Sequence, residues 1–235
     1  MELEQSSFLY NSKSRFDKNL IRLTCRYLPE MTDGEIPHFK VVFLGDSGVG
    51  KTSLIERWIS DTFVSSTKPS ICLDHRKKRI ILDIYGPIDI YIWDPAGSDN
   101  LNDLWPIYIK GTSVAIIVVA INNRDSIKNI QKWIDIVSDN WTEGDFPKLI
   151  LAVNKVDLKE NEGDDVVNIQ EIHEMFNEKF NHGDNIYFVS ALSGENVDQL
   201  YPAAAKEAIK SGLNNGNNAR NESDDIIQRK KCILF

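Results

Sequence analysis

The residues Gly45-Asp46-Ser47-Gly48-Val49-Gly50-Lys51-Thr52 place three glycines, a lysine and a hydroxyl in the order GxxxxGK[ST]. They follow a short β-branched apolar run and open a helical pattern, which is the setting a phosphate-binding loop requires. Glycines let successive backbone N–H groups curl around a diphosphate, and the helix N-terminus adds partial positive charge. Lys51 is then placed to bridge the outer phosphates, and the Thr52 hydroxyl is an oxygen ligand suited to Mg²⁺, a hard cation. The plain alternative is a glycine-rich turn followed by a surface lysine. The loop alone leaves ATP and GTP open, and equally a kinase, an ATPase or a switch.

Three further clusters narrow the chemistry. Asn154-Lys155-Val156-Asp157 follows the apolar run Leu149 to Val153. A carboxylate there can accept hydrogen bonds from the N1–H and 2-amino group of guanine, a donor pair that adenine lacks. Trp93-Asp94-Pro95-Ala96-Gly97 ends another strand pattern. Asp94 can hold a Mg²⁺-bound water there, and the Gly97 N–H can approach a γ-phosphate. Ser190-Ala191-Leu192 ends the last strand pattern, in position to support the base pocket. Each cluster alone reads as an ordinary strand-end turn; their order and spacing behind the phosphate loop point to one guanine-nucleotide site.

The elements that must position these residues are legible as alternating apolar runs and helical patterns from about Phe39 to Lys210. Phe39–Leu44, Ser113–Ala120, Lys148–Val153 and Ile186–Val189 read as central, buried strands. A hairpin is expected between Arg79 and Asp94, with Tyr85, Gly86 and Pro87 as its turn. Helices are expected over Lys51–Ser60, Asp125–Val137, Ile169–Phe180 and Asn196–Ile209. The expected fold is α/β: a P-loop nucleoside-triphosphatase domain with a six-stranded, mostly parallel sheet, one antiparallel hairpin and about five flanking helices.

The 235 residues carry 27 Lys+Arg against 35 Asp+Glu, a formal net charge of −8, with 42% hydrophobic and 26% charged residues. That is an ordinary globular composition, and at about 150 residues per domain it fits one large domain with tails. The acidic balance, with no basic stripe in the main body, argues against nucleic acid as a partner. Cys25, Cys72 and Cys232 are odd in number and have no CxxC or zinc spacing, so a reducing cytosolic setting is expected. The sequence has neither a secretory h-region nor an apolar run long enough to span a bilayer. The domain division read here is 1–37 as an extension, 38–210 as the nucleotide-binding domain and 211–235 as a disordered tail. In the extension, Phe16, Leu20, Leu23 and Tyr27 with interspersed cations form a weak basic amphipathic pattern, read either as a docking helix or as a dispensable extension.

Over Phe39 to Lys210 the sequence resembles the Ras superfamily of small GTPases. The family motifs GxxxxGK[ST], DxxG, NKxD and SA[KL] stand as Gly45–Thr52, Asp94–Gly97, Asn154–Asp157 and Ser190–Leu192. The Rab branch is the most similar, through the phosphate loop continued by Ser53 and Leu54, through Ile92-Trp93-Asp94, through Tyr108-Ile109-Lys110-Gly111 and through the intact Asn154. A Rho-type reading competes because the stretch from Asp157 to Ser190 is long and acidic (Glu160, Glu162, Asp164, Asp165) and Leu192 suits it. Rho proteins, however, usually carry threonine in place of Asn154.

The resemblance implies a GTP/GDP switch with Mg²⁺, acting through effectors and controlled by a guanine nucleotide exchange factor and a GTPase-activating protein. By the same resemblance Phe63 lies against the guanine ring and Ser70 sits in switch I, where threonine is usual. Metal ligation then falls to Thr52, Ser70 and Asp94, and hydrolysis to Lys51, Ser70, Gly97 and Ser98. Ser98 departs from the pattern: it stands where the family usually carries the glutamine that orients the attacking water, and serine is too short to do so. Slow intrinsic hydrolysis is expected. Cys72 and His75 also depart from the Rab pattern. Vesicle traffic is the implied process, with a Rho-like cytoskeletal switch or a barely hydrolysing GTP-binding interaction module as alternatives.

The sequence stops at Cys232-Ile233-Leu234-Phe235, a CaaX box whose final Phe predicts geranylgeranylation of Cys232. A prenyltransferase and a prenyl-binding carrier are the implied partners, and the cytosolic face of a membrane the implied location. Arg229, Lys230 and Lys231 are offset by Glu222, Asp224 and Asp225, so the attachment is expected to be reversible.

Overall fold

The computed structural model describes residues 36–63, 74–82, 86–95, 103–142, 146–159, 167, 169–180 and 185–214, apart from the side chains of 175–180 and 210–214. The elements in chain order are β1 (His38–Leu44), α1 (Lys51–Ser60), β2 (Asp74–Leu82), β3 (Gly86–Asp94), α2 (Trp105–Ile109), β4 (Val114–Ala120), α3 (Arg124–Lys128), α4 (Ile130–Asn140), β5 (Lys148–Asn154), a 3₁₀ turn at Val156–Leu158, α5 (Ile169–Phe180), β6 (Ile186–Phe188) and α6 (Val197–Asn214). Because α3 and α4 succeed one another through Asn129, the described helices form five arms around the sheet.

The six strands lie in the order β2-β3-β1-β4-β5-β6. Every neighbouring pair is parallel except β2 and β3. Strands buried on both faces need continuous apolar sequence, and Val114–Ala120 is buried at every residue. Alternate side chains then feed two cores. Val41, Phe43, Ile88, Ile90, Ile92, Ile116 and Val118 pack with Leu54 and Ile55 of α1 and with Leu200–Ile209 of α6. On the opposite face Val42, Leu44, Ile117, Val119 and Leu151 pack with Trp105 and Tyr108 of α2, Ile127 of α3, Trp133 and Val137 of α4 and Ile172 of α5. The parallel connections place the loops after β1, β5 and β6 at the carboxyl end of the sheet, where ligands of such sheets bind.

Five sequence expectations shift. The strand at Ile186 is an edge strand, half-buried throughout, rather than a central one. The hairpin begins at Asp74, ahead of Arg79, because an edge strand tolerates charge and Arg76, Lys77 and Arg79 each find a carboxylate. Gly86 and Pro87 belong to the ladder, opposite Leu82 and Ile81, and not to a turn. Proline is tolerated there because pairing of β3 with β1 starts only at Asp89. The helix expected over Asp125–Val137 is split at Asn129, and α6 runs beyond the predicted Ile209 to Asn214. A short helix at Trp105–Ile109, with Pro106 in its first turn, has too few residues to show a period. Among the described residues no helix is long and apolar enough to cross a membrane.

The β2–β3 ladder carries a titratable clasp. Asp89 is 5% exposed and takes Arg79 Nε at 2.7 Å, Arg79 Nη2 at 3.0 Å and Lys77 Nζ at 2.8 Å. The Arg79 hydrogen bonds, then those of Lys77, hold its carboxyl at about 2, below the ordinary 3.8. The folded state therefore binds this proton less readily than the unfolded chain. The stabilisation is complete above pH 3.8 and is lost as pH falls through about 2. Replacing Asp89 with Asn is expected to lower stability at neutral pH and to flatten the acid limb between those values, read by thermal melts across pH.

Candidate functional site

The phosphate loop joins β1 to α1 and is shaped by glycines with left-handed backbone. A Cβ on Gly45 (φ +142°) would come 2.3 Å from Val118 O, and one on Gly50 (φ +97°) 2.3 Å from Asn154 Nδ2. Neither position accepts a side chain. Ser47 and Gly48 are exposed on the loop crest, while Val49 is fully buried in the core beneath it. Lys51 opens α1, is 7% exposed and donates to Gly45 O at 2.7 Å and Asp46 O at 2.9 Å. Burial lowers its pKa to about 8, against the raising influence of Asp94 and Asp46. The ammonium is thus held where desolvation makes an anionic partner most effective.

Next to Lys51, Thr52 Oγ1 donates to Asp94 Oδ2 at 2.5 Å. Asp94, at the end of β3, is 3% exposed. A hydroxyl and a carboxylate converging beside the phosphate loop are hard oxygen donors of the kind Mg²⁺ takes together with phosphate oxygens and water, so these two residues fit that cation. Ser53, on the same first turn of α1, is half-buried.

The base-side clusters meet at Asn154. This residue ends β5, is 1% exposed, donates through Nδ2 to Val49 O at 2.9 Å and accepts at Oδ1 from Ala191 N at 3.1 Å. One side chain therefore fastens the phosphate loop to the loop after β6. Beyond it, Ser190 Oγ donates to Asp157 Oδ1 at 2.5 Å and accepts from Ser193 N at 3.0 Å. Lys155 takes a left-handed backbone (φ +66°) and lines a pocket of about 450 Å³ with Asn122, Asn123 and Arg124. Leu192 is 52% exposed. Phe63 is half-buried and packs against the core cluster under α1.

Gly45–Ser53, Asp94, Asn154, Lys155, Asp157 and Ser190–Leu192 are thus brought to one end of the sheet. Ser70, Gly97, Ser98 and Cys232 lie outside the described residues, as do Cys72, the extension before residue 36, the acidic stretch 160–166 and the tail beyond 214.

Two pairs of contacts are absent from any motif. The Asp46 carboxylate accepts from Asn129 Nδ2 at 2.9 Å and Trp133 Nε1 at 3.0 Å, pinning the phosphate loop to the start of α4. Trp133 lies on the apolar stripe Ile130, Trp133, Ile134, Val137 and reads from periodicity only as core. Arg57 of α1 donates to two carbonyls of the loop after β6; as a single arginine in an amphipathic helix it gives no sequence signal at all.

A parallel sheet with a glycine-shaped loop between its first strand and helix, the loop lysine buried and the following hydroxyl on a strand-end aspartate, defines a P-loop nucleoside-triphosphatase domain. The Ras family model matches residues 40–210, and the chain belongs to the Ras family. It is a small GTP-binding switch protein and a GTPase. Members of the family bind GTP and GDP, typically with Mg²⁺, and work through exchange factors, activating proteins and effectors.

Proposed function

We propose that this GTPase is a Rab-like membrane switch with slow intrinsic hydrolysis, attached through prenylated Cys232 and acting in vesicle or membrane traffic. The observation that supports the Rab-like reading is that Trp93 and Tyr108, from two of the strings that carry the Rab resemblance, are brought together. Trp93 and Tyr108 have ring centroids 6.3 Å apart, with Tyr108 4% exposed, whereas the exposed His75, which departs from the Rab pattern, has its ring 6.5 Å from Trp93. Trp93 is half-buried, with Lys40 Nζ 4.0 Å from its ring, so it serves both as packing and as surface. The engaged Asn154, which Rho proteins usually replace with threonine, favours the same reading over a cytoskeletal one.

The proposed chemistry is positioning and charge stabilisation, with no covalent intermediate. The buried Lys51 faces the outer phosphates, and the Gly97 amide supports the γ-phosphate. Thr52, Asp94 and the switch I hydroxyl of Ser70 would hold Mg²⁺, which supplies charge neutralisation at the phosphate oxygens. Asp157, Ser190, Ala191 and Leu192 select guanine, with Phe63 against the ring. Serine at position 98 leaves the attacking water without the usual glutamine, so intrinsic turnover is slow and an accelerating partner has to supply the missing group itself.

Membrane attachment has its own test. At about 0.8 kcal/mol per buried CH₂ a single prenyl chain favours the bilayer only reversibly. Replacing Cys232 with Ser is expected to move the protein from the membrane to the supernatant fraction while leaving GDP binding unchanged, measured by vesicle sedimentation of protein expressed in a prenylating cell. Unchanged partition would remove the lipid anchor from the account. The N-terminal extension and the tail are placed outside the nucleotide-binding domain in this reading.

A further inference from the structure

Arg57 lies halfway along α1, on the helix that begins with Lys51 and Thr52. Its side chain is 15% exposed. Nε donates to Ala191 O at 2.8 Å, Nη2 to Leu192 O at 2.6 Å and Nη1 to Asp61 O at 3.0 Å. Three carbonyls from two segments 130 residues apart in sequence thus converge on one planar cation, whose fixed fork of donors suits such an arrangement better than a lysine point charge would.

The consequence lies in the direction of the peptide planes. A trans peptide points its N–H opposite to its C=O. With the carbonyls of Ala191 and Leu192 drawn toward Arg57, the N–H groups of Leu192 and Ser193 face the other way. Ser193 N accordingly reaches Ser190 Oγ at 3.0 Å, and that hydroxyl in turn donates to Asp157 Oδ1 at 2.5 Å. The peptide before Ala191 is fixed separately, by Asn154 Oδ1 on Ala191 N at 3.1 Å. Asn154 and Arg57 therefore grip successive peptides of the same loop, one from the sheet and one from the helix that carries the phosphate loop.

We infer that Arg57 is a positioning residue for nucleotide selection: it holds the loop 190–192 with its donors turned toward Asp157, and so sets the preference for guanine and the residence time of the bound nucleotide. This rests on the reading of Ser190–Leu192 as part of the base pocket. Arg57 itself stays behind the loop and acts only through it. The ion pair with Asp61 is a minor part, since its partner side chain is 99% exposed and 3.7 Å away.

The test uses full-length protein and two competitors, GDP and ADP, against a fluorescent guanosine diphosphate. Hydrogen bonds from a charged donor govern the loop, so Arg57→Ala is expected to raise the GDP dissociation rate and lower the GDP-over-ADP preference by about tenfold or more. The affinity for ADP, which depends on the phosphate loop, stays the same. Arg57→Lys keeps one charge without the fork and is expected to fall between wild type and Ala; it also serves if the alanine variant folds poorly. Asp61→Asn, which keeps a residue tolerant of left-handed backbone, is expected to match wild type. A purely structural role would weaken GDP and ADP together and leave their ratio unchanged, overturning the inference. So would an unchanged GDP dissociation rate in both Arg57 variants. Failure of wild type to prefer GDP would instead overturn the base-pocket reading beneath it.

Discussion

Asn154→Ala is expected to release bound GDP about 30- to 700-fold faster than wild type, corresponding to roughly 2–4 kcal/mol for stranding one buried acceptor and one buried donor. The size follows from position. Asn154 is 1% exposed, so water cannot replace the side chain at Val49 O or at Ala191 N, both of which it bonds. Losing it loosens the phosphate loop and the base loop at once. Asn154→Thr retains a hydroxyl that satisfies one of the two groups, and an intermediate rate is expected. Stopped-flow displacement of fluorescent GDP, with melting temperature recorded in parallel, checks both; an alanine variant that releases GDP at the wild-type rate would show that the two loops are fixed by other contacts.

Ser98→Gln is expected to raise single-turnover GTP hydrolysis on the order of tenfold or more, because placing a water-orienting amide in line with the γ-phosphate recovers positioning that serine cannot supply. GDP affinity should not change, since no other group of the nucleotide site is altered. Equal hydrolysis rates in the two proteins would mean that position 98 does not limit turnover, and the slow-switch proposal would lose its cause.

Much of this site is legible before folding because its chemistry is carried by short motifs at strand ends. Gly45–Thr52 announces both its turn and its ligand class, and the all-apolar Val114–Ala120 announces a strand buried on both faces. What stays hidden is long-range and carried by single atoms. That Trp133 offers its indole N–H to Asp46, 87 residues away, is invisible to a periodicity that sees only an apolar residue on the inner stripe of α4. That Arg57 grips carbonyls 134 and 135 residues downstream has no local correlate either. The hairpin start was obscured because Asp74–Arg79 is a run of charge, and only the ladder to β3 with the Asp89 and Glu56 ion pairs makes a strand of it. The edge position of β6 likewise depends on strand order, which a single strand's composition does not encode.

The most direct test of the central reading is to purify the full chain as Cys232→Ser, identify the co-purified nucleotide by chromatography and follow a single turnover of loaded GTP in Mg²⁺. GDP is expected as the bound nucleotide, near one per protein, with slow but measurable release of phosphate to water. An adenine nucleotide in the site, or transfer of the γ-phosphate to an acceptor other than water, would contradict the central reading.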